Sequence, residues 1–166
     1  SILLHCIGDF ERISDHSVNV MASAREMFEK EAAFSKKAQE ELVVFTKAVT
    51  DILDAATKVF CEEDLVLATK VEPMEENIDY LSEEMKKRHV KRLRKGKCTI
   101  EMGFVLSDIT TNYERVSDHC SNIAICLLQL NEEGFDTHEY QGALFSKDNE
   151  AYAEEVRRLR DYYALP

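Results

Sequence analysis

The chain has 166 residues, a formal net charge of -11, 45% hydrophobic and 32% charged residues. That balance belongs to a globular domain, not a disordered segment, and the negative excess argues against nucleic acid as a partner, whose phosphates need Lys and Arg. Five Gly, two Pro and no Trp leave too little turn material for a β-sandwich, so long helices are expected.

Four long segments show helical periodicity. The first carries Cys6, Phe10, Ile13, Val20, Ala24 and Met27 at spacings of three and four, with Ser17 filling the gap. The second starts near Ser35, a suitable N-cap, and runs through Ala38, Leu42, Phe45, Val49, Ile52, Ala56 and Val59. The third holds Leu67, Val71, Met74, Ile78, Leu81 and Met85, then a polar tail that Gly96 can end in left-handed conformation. The fourth holds Met102, Val105, Ile109, Tyr113, Val116, Cys120, Ile123, Leu127 and Leu130, with Gly134 as its terminator. A shorter fifth helix is predicted from Lys147 to Tyr162, capped by Ser146, with Tyr152, Val156, Leu159 and Tyr163 as its apolar stripe. Long helices joined by short connections predict antiparallel neighbours in a bundle, an all-α fold.

The first and fourth helices repeat one another at an offset of 103 residues. Glu11-Arg12-Ile13-Ser14-Asp15-His16 aligns with Glu114-Arg115-Val116-Ser117-Asp118-His119, and Asn19 with Asn122. The copy keeps polar as well as apolar positions, which a bare amphipathic pattern would not. Glu11 with Asp15, and Glu114 with Asp118, are four apart and neighbours on one helix face, turned away from the apolar stripe. Such pairs are either oxygen ligands for a cation supplied from adjacent turns or a solvated acidic face offset by Arg12 and Arg115. Glu75 and Asp79 have the same spacing on the third helix. If the third and fourth helices run antiparallel, Glu75, Asp79, Glu114 and Asp118 can converge at one groove and hold metal.

Lys86, Lys87, Arg88, Lys91, Arg92, Arg94, Lys95 and Lys97 crowd the end of the third helix. They either complement the negative helix C-terminus or contact an acidic partner or the anionic cytoplasmic leaflet. His16 and His119 sit at the edge of their stripes, as packing residues or as supports for the neighbouring aspartates; His5, His89 and His138 receive no role. Cys6, Cys61, Cys98, Cys120 and Cys126 form no CxxC pair, neither a disulfide framework nor a zinc finger, and suit a reducing compartment. No apolar run approaches the ~20 residues needed to span a bilayer, and no signal peptide opens the chain, so a soluble, cytosol-facing chain is expected.

At the doubled Glu-Arg-Ile/Val-Ser-Asp-His signature and the Glu75-Glu76-Asn77-Ile78-Asp79 segment, the sequence resembles the PhoU family of phosphate-uptake regulators over residues 5–131. The resemblance implies tandem antiparallel three-helix bundles whose E/D-x-x-x-D motifs bind metal, often iron or zinc in multinuclear clusters, with other divalent ions open. Residues 1–30 would be the last helix of an incomplete first repeat, 35–132 a complete second repeat, and 133–166 a C-terminal extension whose helix packs on the bundle. Glu75, Asp79, Glu114 and Asp118 would form the second repeat's site. Glu11 and Asp15 would form part of the first repeat's site, with their middle-helix partner supplied by a longer protein or by another chain. The segment Phe135-Asp136-Thr137-His138-Glu139-Tyr140 and the Tyr-rich end look like the C-terminal PhoU-like domain of bacterial sodium/phosphate cotransporters. That implies a regulatory, non-enzymatic domain on the cytoplasmic side of the inner membrane. Its partner would be a membrane transport domain of the same or another polypeptide, with a homodimer as a further arrangement, and Lys86, Lys87, Lys91, Arg92, Arg94 and Lys95 would make the contact. A free-standing PhoU-type signalling adaptor is the alternative. A ferritin-like carboxylate metalloenzyme would need Glu-x-x-His pairs, and the sequence has none. A purely structural assembly bundle is the remaining reading.

Overall fold

A computed structural model describes residues 2–131 and 149–166. Five helices and no strand occur among the described residues: α1 (Ile2–Glu29), α2 (Lys36–Glu62), α3 (Leu65–Arg94), α4 (Ile100–Asn131) and α5 (Glu150–Tyr162). Local chemistry sets the boundaries. Ser35 caps α2, its hydroxyl accepting from the Ala38 N–H. Between α2 and α3 stand only Glu63, in left-handed conformation at φ 53°, and Asp64, which accepts from the Leu67 N–H at 2.9 Å. One residue thus reverses the chain and the next caps the new helix. Gly96, at φ +64°, closes α3 in the left-handed region as expected. Asn149 caps α5; the cap and start expected at Ser146 and Lys147, and the terminator Gly134, lie outside the described residues.

Helices α2, α3 and α4 pack pairwise on one another as an antiparallel bundle, α1 lies along α4, and α5 lies on α3. The bundle centre holds Phe45, Ile52 and Val59 of α2, Val71, Ile78, Leu81 and Met85 of α3, and Leu106, Cys120 and Ile123 of α4. The α5 stripe is buried as expected, with the Tyr152 hydroxyl donating to Glu76 at 2.8 Å, Tyr163 donating to Asp51, and Arg160 lying over the Tyr80 ring.

The single apolar stripe read for α4 is only half of its buried surface. Leu106, Thr110, Ser117, Ala124 and Leu128 form a second buried row, because α4 faces three helices. The reverse holds for α1. Among its described side chains only Cys6, Ile13 and Ser23 are buried, Ala24 is exposed, and Leu4, Ile7, Val18, Met21 and Phe28 form an open apolar face.

The seam between α1 and α4 has a symmetric polar centre. The His16 and His119 rings stack with centroids 5.7 Å apart. His16 Nδ1 lies 2.8 Å from Asn112 Oδ1, and His119 Nδ1 lies 2.7 Å from Asp9 Oδ1. Asn19 donates to Asn112, and Asn122 donates to Asp9. Each member maps onto its counterpart by the same 103-residue offset, so the repeat is a local pseudo-twofold in space.

At the opposite seam Glu41, 2% exposed, accepts from Arg92 Nη1 at 2.9 Å on both oxygens and from Arg88 Nη1 at 3.2 Å. Arg88 also donates to the Pro166 carbonyl at 2.7 Å. Removing one partner of a buried ion pair strands the other charge. Urea unfolding of Glu41→Ala is expected to show a loss of about 3–5 kcal/mol, most of which returns in Glu41→Leu combined with Arg92→Met.

Candidate metal centre

Helix α3 presents Glu75 and Asp79 one turn apart, and α4 brings Asp118 to them from the opposite side. One carboxylate oxygen from each lies within 4.8 Å of the other two. The antiparallel run of the two helices is fixed above and below: Lys86 donates to Glu114 at 3.0 Å, and the Ser121 hydroxyl donates to Glu72.

The electrostatics of the trio are unfavourable when no cation is present. Burial, followed by the negative charges of Asp79, Glu72, Asp118 and Glu76, pushes the Glu75 carboxyl up to about 8. Asp79 is raised as well, first by its desolvation in the groove and then by Glu114 and Asp118. The cations at hand are committed to the margins, with Arg115 3.1 Å from Asp118 and Lys86 on Glu114. A divalent ion would reverse each of these repulsions, and an all-oxygen donor set suits a hard cation. The donor chemistry therefore fits a metal.

The expected quartet becomes a trio. Glu114 faces the same groove, but its carboxylate is paired with Lys86, outside the cluster of three. Glu11 and Asp15 are exposed on α1, and no carboxylate pair on another helix meets them among the described residues. The histidines beside the aspartates are occupied at the α1–α4 seam, which makes them packing residues. The basic run also divides. Arg92 departs from the surface role expected of it and turns inward to Glu41, while Lys86 joins Glu114 and Lys87 pairs with Glu83 and Glu84. Lys91, Arg94 and Lys95 remain exposed.

Sequence reasoning missed the residues that surround the trio. Glu72 is held by Ser121, and Glu76 by Tyr152 and Arg160. Their signal was present as an over-rich run of Glu on α3, but periodicity does not say which of them a neighbouring helix engages.

Comparison with known proteins agrees with this architecture. The profile of the PhoU domain matches residues 44–127, half of the chain. The phosphate-specific transport system accessory protein PhoU homolog 1 of Thermotoga maritima is 29% identical over 121 residues, covering 73% of this chain and 51% of that protein. The chain spans about half the length of that curated relative. No solved structure matches.

A carboxyl whose folded-state pKa is raised stabilises the fold while protonated, and the benefit disappears as pH rises through the folded value. In chelator-treated protein, stability should therefore fall between about pH 4.5 and about 8, where Glu75 is ionised in the unfolded chain but still protonated in the folded one. Glu75→Gln should flatten that part of the curve, as followed by urea midpoints at each pH.

Proposed function

Because the chain belongs to the PhoU family, we propose that it is a regulatory domain, not an enzyme, acting on phosphate transport and holding a divalent metal at Glu75, Asp79 and Asp118. The convergence of those three carboxylates on one helical seam carries this reading. Glu75 and Asp79 would supply two oxygens from adjacent turns of α3, and Asp118 a third from α4. The bound ion would supply charge neutralisation across a seam that otherwise repels itself, drawing α3 and α4 together. Glu114 stands one turn from Asp118 and would be released to join the set when Lys86 swings into solvent.

In the same reading, α1 is the last helix of an incomplete repeat covering residues 1–30, and residues 35–132 form a complete one. Its open apolar face, with Glu11 and Asp15 upon it, would be covered by helices that lie elsewhere in a longer protein or on another chain. The exposed Lys91, Arg94 and Lys95 would approach an acidic partner or an anionic leaflet. The finer assignment is the cytoplasmic domain of a sodium-dependent phosphate cotransporter, partnered by its membrane domain. No helix among the described residues is long and apolar enough to cross a membrane. A free-standing adaptor is the second reading, favoured by the name of the Thermotoga relative, which is an accessory protein. Several apolar segments of about 20 residues upstream in the parent reading frame would decide for the transporter.

The metal is tested by thermal unfolding with iron(II), zinc or manganese(II) added in turn. A ligand that binds only the folded state adds about 2.7 kcal/mol at 100 times its Kd. A rise in Tm is expected for the parent protein and for Glu11→Gln/Asp15→Asn. It should vanish in Asp79→Asn/Asp118→Asn, whose metal-free form should be at least as stable as the parent. No rise with any of the three ions, or an equal rise in the Asp79/Asp118 variant, would overturn the assignment.

A further inference from the structure

At the end of the bundle where α3 stops and α2 and α4 begin, a cavity of about 380 Å³ opens, well away from the acidic seam. Its polar lining is Ser35, His89, Arg92, Lys97, Cys98 and Thr99, two cations and no carboxylate. In a chain of net charge -11 the pocket lies at the one strongly basic end of α3, beside the exposed Lys91, Arg94 and Lys95. Arg92 lines the cavity and is anchored through Nη1 on Glu41, while its Nε and Nη2 are buried without a hydrogen-bond partner among the described residues. An anionic group is the natural occupant.

The cavity also holds a thiol next to an imidazole. Cys98 Sγ lies 3.9 Å from His89 Nε2 and 3.7 Å from the His89 carbonyl. His89 is only 8% exposed, and its ring makes no other hydrogen bond among the described residues. Gly103 provides the room, since a Cβ there would stand 2.7 Å from His89 Nε2. Burial, and then Arg92, hold the imidazole below its usual pKa, so at neutral pH it is uncharged. The other thiols are placed differently. Burial raises Cys6 and Cys120 to about 12, and raises Cys126 too. Cys61 is exposed but is followed by Glu62, Glu63 and Asp64, which repel an anionic reagent.

We propose that Cys98 is a thiol-modification site, at which a carboxylate-bearing low-molecular-weight disulfide is seated by Arg92 and Lys97 and exchanges with the cysteine sulfur. His89 Nε2 takes the thiol proton as Cys98 Sγ attacks one disulfide sulfur. The S–S bond of the small molecule breaks, a new S–S bond forms to Cys98, and the departing thiolate takes the proton from His89. The protein thiol is oxidised to a mixed disulfide, and half of the reagent is reduced to a thiol. The adduct would fill the space between the α2 and α4 N-termini and lie against the Arg92 anchor.

The experiment is a time course of the purified chain with glutathione disulfide near neutral pH, read by intact mass and peptide mapping. Cys98 should gain the adduct about tenfold faster than Cys61, because anion-attracting charge and a proton acceptor lie beside it. The uncharged hydroxyethyl disulfide should lose most of that preference. Lys97→Gln, an exposed change that leaves the fold intact, should slow the Cys98 reaction with glutathione disulfide about threefold and leave the uncharged reagent unaffected. Folded His89→Gln, checked by circular dichroism, should slow Cys98 with both reagents. Cys61 reacting first, or a Cys98 rate indifferent to Lys97→Gln and to reagent charge, would overturn the proposal.

Discussion

Helix α4 has to satisfy three neighbours at once, and the arrangement of the other helices follows from how it does so. Its 32 residues meet α2 and the bundle centre through Val116, Cys120 and Ile123, α3 through Asp118 and Ser121, and α1 through Asn112 and His119. A helix buried on so many sides must account for every polar group it carries. Thr110 and Ser117 do so internally, returning their hydroxyls to the carbonyls of Ser107 and Glu114. Asn112, Ser121 and His119 find partners across the seams. Those cross-seam partners fix where α1 and α3 stand along α4, since apolar contact alone would tolerate sliding.

The apolar stripes of α2, α3 and α5 were legible in the sequence because each of those helices turns a well-marked face to the core. So were the Ser35 cap and the Gly96 terminator, which depend on one side chain and one backbone angle. The second buried row of α4 was not legible, since Ser117 and Thr110 look like surface residues until their hydroxyls are seen to bond within the helix. Arg92 was misread for a related reason. In a basic run every member looks solvated, and the buried Glu41 that draws one of them inward is 51 positions away. Three of the four carboxylates expected at the seam do meet, but spacing along a helix carries no information about Lys86, which claims the fourth.

Charge along α3 is strongly segregated. Its first half carries Glu72, Glu75 and Asp79 toward α4, where they repel one another, and Glu76 toward α5; beyond Glu83 and Glu84 its second half carries Lys86 to Arg94. The basic end suits a helix C-terminus, while the acidic middle costs stability unless a cation arrives. One helix therefore joins an acidic seam to a cavity lined by cations, and Lys86 on Glu114 is where the two regimes touch.

The His16–His119 stack also has a consequence in time. Its bonds join residues 96 and 110 positions apart, with α2 and α3 lying between them in the chain. At a synthesis rate of about 5–20 residues per second, α1 waits roughly 5–20 s on the ribosome before the facing half of its seam exists. During that interval His16 has no ring to stack on, and Asp9 has no imidazole or amide to receive. The compact α2–α4 unit, closed by short connections, can assemble as soon as α4 emerges, and α1 then docks onto a surface already formed. The repeat that makes this seam symmetric in space thus makes it the late event in folding.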